Sequence, residues 1–209
     1  MAKTTPFDTQ VDRYEGWFEK NHLAYKSQLE AVRSLLPLGR GVEVGVGTGR
    51  FAAPLGIKLG VEPSGFMREA AREKGIEVVQ GVAEDLPFPD ESFDYLLMVT
   101  VICFFDDVPK AFLEASRVLK PGGSLIIAFI DRETPIGKEY DTNKHDSAFY
   151  HEATFYSAAE VKSKLEDAGF ASTRFIQTIF RDPQEMMELE PVKEGTGAGV
   201  FCVVKAEKH

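Results

Sequence analysis

Val42-Glu43-Val44-Gly45-Val46-Gly47-Thr48-Gly49 threads three alternating glycines through the end of a short apolar run. Glycine has no side chain to bury and costs backbone entropy, so this density does not serve core packing. It suits a backbone that turns sharply at the end of a strand and lies against a ligand. Which ligand depends on the count. The dinucleotide fingerprint is G-x-G-x-x-G. Counting from Gly45, its third glycine falls at Arg50, whereas this chain places glycine at 49 and reads G-x-G-x-G. A lone triplet is weak evidence, so the surroundings decide.

Outward from that stretch, strand and helix alternate. Residues 41–46 form a strand, and Arg50–Leu55 allows only a short helix holding Pro54. Ile57–Glu62 is the next strand, which puts the first crossover near the lower limit of about 10–12 residues. Ser64 caps a helix running to about Lys74, with Gly75 as its stop. Ile76–Gln80 is a third strand, followed by a proline- and acid-rich loop over Gly81–Ser92. Phe93–Thr100 is nearly continuously apolar, as a strand covered on both faces requires. Asp106 or Asp107 opens the next helix, with Pro109 in its first turn. Lys120-Pro121-Gly122-Gly123 then leads into the strand Ser124–Ile130. Ser157-Ala158-Ala159-Glu160 fits a capping box, and Phe170–Phe180 and Gly199–Lys205 close the chain as an antiparallel pair.

Two regions stand outside the alternation. Residues 8–36 read as helix in two segments, with Tyr14, Trp17, Phe18 and Tyr25 at helical spacing. They pack on the main domain, flap over a ligand site, or do both. Residues 132–156 are polar and aromatic, show no period, and hold His145, Tyr150, His151 and Tyr156. An excursion of that length in a compact domain is commonly functional.

The bulk numbers exclude several classes. The 209 residues suffice for one α/β domain. A net charge of −9 disfavours a broad nucleic-acid footprint, which needs a basic face. No run of 18 apolar residues exists for a membrane span, and residues 1–8 lack a signal-peptide core. Cys103 and Cys202 are too far apart for a disulfide framework or a metal spacing. The four histidines form no H-x-x-H, so no metal is expected. The chain reads as a reduced, cytoplasmic protein.

With those motifs in order, the chain resembles the class I S-adenosylmethionine-dependent methyltransferases, in their small-molecule (UbiE-like, methyltransferase type 11) branch. Glu43-Val44-Gly45-Val46-Gly47-Thr48-Gly49 resembles the first motif, and Gly60-Val61-Glu62-Pro63-Ser64 the acidic end of the second strand. Gln80-Gly81-Val82-Ala83-Glu84-Asp85-Leu86-Pro87-Phe88 resembles the adenine-side loop. Phe93-Asp94-Tyr95 resembles the fourth strand, and Arg117-Val118-Leu119-Lys120-Pro121-Gly122-Gly123 the following helix-to-strand turn. The match runs over about residues 37–131.

The resemblance implies S-adenosylmethionine as cofactor and a small-molecule methyl acceptor as partner. Gly45, Gly47 and Thr48 would lie against its methionyl end, and Glu43 would help hold the ammonium side. Glu62, followed by Pro63, would accept both ribose hydroxyls, one on each oxygen. Met67, the Val82 and Ala83 backbone and Glu84 would bracket the adenine, and Thr100 would face cofactor or acceptor. Val82 departs from the acid often found there, which leaves adenine to backbone groups or Glu84. Glu62 also reads as a cap for the helix at Ser64, and Glu84 as a solvated loop charge. Tyr14, Trp17, His145, Tyr150 and His151 are the candidate acceptor contacts, and no general base is assigned.

The expected fold is therefore α/β and Rossmann-like: a doubly wound, mainly parallel sheet of seven strands with an antiparallel C-terminal strand and helices on both faces. The chain is read as one domain. Residues 1–36 are a helical cap, 37–131 the cofactor core, 132–156 the substrate side, and 157–209 the closing helix and strand pair. Two other functions remain: a non-catalytic S-adenosylmethionine-binding sensor or partner subunit, and an NAD-dependent oxidoreductase.

Overall fold

Strand β1 (Gly41–Val44) stands near the middle of an eight-stranded sheet in the computed structural model, which describes residues 4–209. β2 (Leu59–Val61) and β3 (Glu77–Val79) flank it on one side. β4 (Phe93–Val99) and β5 (Leu119–Ile130) lie on the other, and all five run parallel. β6 (Phe170–Thr178), β7 (Lys193–Glu194) and β8 (Phe201–Lys208) complete the order β3-β2-β1-β4-β5-β8-β6-β7. β8 is wedged between β5 and β6 and antiparallel to both.

The expected count was seven strands; the eighth is β7. It is two exposed residues paired with Ile176 and Gln177 of β6. Nothing apolar alternates in it, so no strand signal exists to read. β5 also begins earlier than expected, at Leu119, because Leu119 pairs with Phe93 before the register shifts.

Alternation along β4 explains the two cores. Leu96 and Met98 join a cluster with α6 (Val108–Val118) and α8 (Ala158–Asp167). Tyr95, Leu97 and Val99 join the opposite cluster, with α3 (His22–Leu35) and with Ala52 of α4 (Ala52–Leu55) and Ala71 of α5 (Gly65–Glu73). Period-two side-chain alternation in a strand covered on both faces requires this split.

The caps follow the sequence closely. Ser64 Oγ accepts from Met67 N at the start of α5, and Asp107 Oδ1 from Lys110 N at the start of α6. Ser157 and Glu160 form a reciprocal capping box on α8. The span 8–36 is essentially two helices, α2 (Val11–Lys20) and α3, broken at Asn21, and a short helix α1 (Thr5–Thr9) precedes them across a break at Gln10. Neither break is a glycine or proline, which is why the spacing did not place them. The 132–156 excursion contains α7 (Pro135–Asn143), capped by Thr134 Oγ1 on Gly137 N. Gly137 is needed there because a Cβ would lie 2.0 Å from the Asp131 carbonyl oxygen. No helix among the described residues is long and apolar enough to cross a membrane.

Candidate functional site

The carboxyl ends of the parallel strands open into a cavity of about 1260 Å³. Its floor is the turn that follows β1. Gly45, Gly47 and Gly49 all take left-handed φ, at +71°, +54° and +80°. A Cβ on Gly45 would lie 2.3 Å from Val101, and one on Gly49 2.4 Å from Ile76. At Gly47 the nearest atom is the Tyr14 hydroxyl, 3.4 Å away. The turn is thus closed at its two ends and open at Gly47, on the cavity side.

Glu62 directly follows β2, with 7% of its surface exposed. Its Oε2 accepts from Gly47 N at 3.0 Å and its Oε1 from Ser64 N at 2.9 Å. Each oxygen keeps a lone pair for a further donor. Burial pushes this carboxyl upward, while the Ser64 and Gly47 amides and the Arg68 charge oppose it. Pro63, Met67, Val82, Ala83, Glu84 and Thr100 join Gly45, Gly47 and Glu62 on the wall. Thr100 holds a left-handed φ of +48°, tied by its N–H to the Ala128 carbonyl at 2.7 Å. Glu84 is engaged elsewhere: its Oε1 accepts from Asp106 N at 2.8 Å and Asp107 N at 3.2 Å.

Glu43 and Thr48 are buried behind the turn and do not reach the wall. Glu43 Oε2 has no partner among the described residues, and burial drives its carboxyl well above the usual range. Tyr14 and Trp17 of α2 and Tyr150 line the cavity, whereas His145 and His151 are exposed and off the wall. Burial first, then the nearby Glu43 and Glu62 charges, push the Tyr14 phenol upward. Burial likewise pushes the Tyr150 phenol well upward.

Rings from three distant segments roof the cavity. Phe7 of α1 lies 5.1 Å from Phe104 and 5.7 Å from Phe149, and Tyr14 lies 6.1 Å from Phe149. The helical cap and the excursion thus meet over the glycine turn. A polar set, unread in the sequence, fastens the cap. Thr48 Oγ1 donates to Glu15, and Glu15 pairs with Arg50 and with Lys74. Asp8 Oδ1 accepts from Ser64 Oγ at 2.6 Å. Asp182 and Gln184 were also missed as wall residues, because they sit in a polar stretch with no period.

Comparison with known proteins gives this geometry a family. Residues 42–127 match the methyltransferase domain family. A Thermotoga maritima crystal structure, of an S-adenosylmethionine-dependent methyltransferase described as a possible histamine N-methyltransferase, superposes with a TM-score of 0.97 at 52% identity. It covers 99% of this chain and 100% of that one. An uncharacterized protein of Methanocaldococcus jannaschii is 46% identical over 97% of this chain and 98% of its own length. The demethylmenaquinone methyltransferase of Listeria welshimeri is 30% identical over 59% of this chain and 63% of its length. Glycine turn, acidic strand end, sheet order and relatives agree: this chain belongs to the class I S-adenosylmethionine-dependent methyltransferases, an enzyme whose cofactor is S-adenosylmethionine.

Proposed function

We propose that the chain methylates a small molecule seated in the cavity between the glycine turn and the aromatic roof. One observation carries the reading. A single cavity of about 1260 Å³ is lined both by Gly45, Gly47 and Glu62 and by Tyr140 and Asp182. It therefore has room for a second reactant beyond the cofactor contacts.

The residues present fit the cofactor. Gly47 leaves its face of the turn free of side chain, and the Glu62 carboxylate is already oriented by two amides. Glu62 would hold the ribose hydroxyls, the Gly45–Gly47 backbone the methionyl end, and Met67, Val82 and Ala83 the adenine. The bound cofactor supplies an electrophilic sulfonium methyl, open to in-line displacement. What remains for the protein is proximity, orientation and exclusion of water. Tyr14, Trp17 and Tyr150 are placed to orient the acceptor, and the Phe7, Phe104 and Phe149 rings to keep water out. Neutral phenols there act as hydrogen-bond donors rather than as bases.

This reading treats the chain as one domain, with residues 1–36 as cap and 132–156 as substrate side. The net charge of −9 argues against a nucleic-acid acceptor. A cytoplasmic location belongs to the same reading. The test is incubation with methyl-labelled S-adenosylmethionine and a metabolite extract. A labelled small molecule is expected, and histamine is the first single acceptor to assay, given the Thermotoga maritima neighbour. Tight S-adenosylhomocysteine binding with no label transferred to any metabolite would instead fit a sensor.

A further inference from the structure

The acceptor half of the cavity combines aromatic faces with uncommitted carboxylates. Tyr140 of α7 stands edge-on to Tyr150 at 5.9 Å, and Tyr150 stacks on Phe104 at 5.9 Å with 6° between planes. Asp182 lies on the same wall. Its Oδ1 accepts from Gln184 N at 2.8 Å, which fixes the carboxylate and leaves Oδ2 without a partner among the described residues. Asp182 is exposed to solvent; burial first, then the Asp182 charge, push the Tyr140 phenol upward. Glu139, next to Tyr140 on α7, adds a second carboxylate with no partner among the described residues.

Of the cations in this half, Lys144 is paired with a carboxylate, while Lys20 and Arg13 bond neutral amide oxygens. Lys144 Nζ pairs with Asp141 Oδ1 at 2.8 Å, Lys20 Nζ donates to Gln184 Oε1 at 3.3 Å, and Arg13 donates to Gln10 Oε1 at 3.2 Å. Asn21, 5% exposed at the break between α2 and α3, gives its Nδ2 to the Trp17 carbonyl, and its Oδ1 acceptor is unpartnered. An anionic ligand would meet the Asp182 and Glu139 carboxylates here. A cation would meet an exposed carboxylate beside ring faces, a combination that suits an ammonium group.

Resting on the methyltransferase reading above, we propose that the methyl acceptor carries an ammonium group, and that Asp182 beside Tyr140 is the contact that selects it. The experiment is calorimetric titration of the chain saturated with S-adenosylhomocysteine. The probes are histamine and phenethylamine, set against the neutral 2-phenylethanol and the anionic 3-phenylpropionate. The amines are expected to bind at least tenfold tighter than the alcohol, and the acid weakest. Asp182→Asn is expected to abolish that preference while leaving S-adenosylhomocysteine affinity unchanged. Equal binding of the alcohol or the acid, a preference that survives Asp182→Asn, or no amine binding at millimolar concentration would each overturn the proposal. Failure of S-adenosylhomocysteine itself to bind would count against the methyltransferase reading instead, and the amine titration is then read on the chain alone.

Discussion

Lys74 Nζ lies 3.2 Å from Glu15 Oε1 and 2.9 Å from the Thr48 carbonyl oxygen, so one ammonium joins the cap to the glycine turn. Glu15 also takes the Thr48 hydroxyl and pairs with Arg50. Half-buried, multiply bonded carboxylates of this kind contribute roughly 1.5–3 kcal/mol through their charged hydrogen bonds. Glu15→Ala is expected to weaken S-adenosylhomocysteine binding about tenfold, mainly through faster release, as read by stopped-flow fluorescence of Trp17. An unchanged release rate would show that α2 does not gate the site.

The same carboxylate sets an acid limit. Burial opposes its ionisation, but the bonds from Thr48 and Arg50 and the Lys74 charge outweigh burial and hold it below its ordinary value of 4.5. A depressed folded value means stability present above pH 4.5 that is lost as pH falls through the lowered value. Thermal melts of the parent and of Glu15→Gln are therefore expected to differ at pH 7 and to converge in strong acid.

Glu43 should behave in the opposite sense. Burial raises its carboxyl well above 4.5, the Ala52 amide opposing and the Glu62 charge assisting. A raised folded value means full stability below pH 4.5 and loss as pH rises through the folded value. Glu43→Gln is expected to melt a few degrees higher than the parent at pH 8 and close to it at pH 4. A melting temperature lower than the parent at pH 8 would mean that the charge is compensated.

Glu62 is expected to matter more for binding than for folding. Removing a carboxylate that takes a ligand's hydroxyls costs about 1.5–3 kcal/mol per charged hydrogen bond. Calorimetry should show Glu62→Ala binding S-adenosylhomocysteine about ten- to a hundredfold more weakly. A change under threefold would remove Glu62 from the ribose site.

The glycines of the turn should separate by their surroundings. At Gly47 the added methyl meets only the Tyr14 hydroxyl at 3.4 Å, so the cost is the left-handed φ, roughly 1–2 kcal/mol. Gly47→Ala is expected to lower the melting temperature by about 2–8 °C yet to reduce cofactor binding more than tenfold. Gly45→Ala adds a collision with Val101 at 2.3 Å and is expected to lose more stability than Gly47→Ala. Equal melts for the two variants would contradict this geometry.

The features legible in the sequence were those fixed by local chemistry. Gly45, Gly47 and Gly49 announced a left-handed turn, and Ser64, Asp107 and Ser157 announced helix starts, because caps and turns depend on residues three or four apart. What escaped was set by partners far away in the chain. Glu15 looks like any acid on a helix until Thr48, Arg50 and Lys74 are brought to it. Asp182 sits in a polar stretch with no period and becomes a wall residue only when that stretch folds over Tyr140. β7 owes its existence to Ile176 and Gln177 rather than to Lys193 and Glu194. In the excursion, the histidines drew the eye as reactive residues, yet the aromatic rings face inward and His145 and His151 face water.

The position of β8 bears on how the chain is made. The strand that joins β5 to β6 is the last of the eight to be synthesised. While residues 201–208 are still being translated, the nascent chain holds two half-sheets with open, apolar inner borders, an invitation to pair with other strands. Sheet closure must therefore wait until β8 has been made, and the chain is exposed to misassociation up to that moment. A stop codon at Val200 would remove an interior strand of the sheet rather than trim its margin.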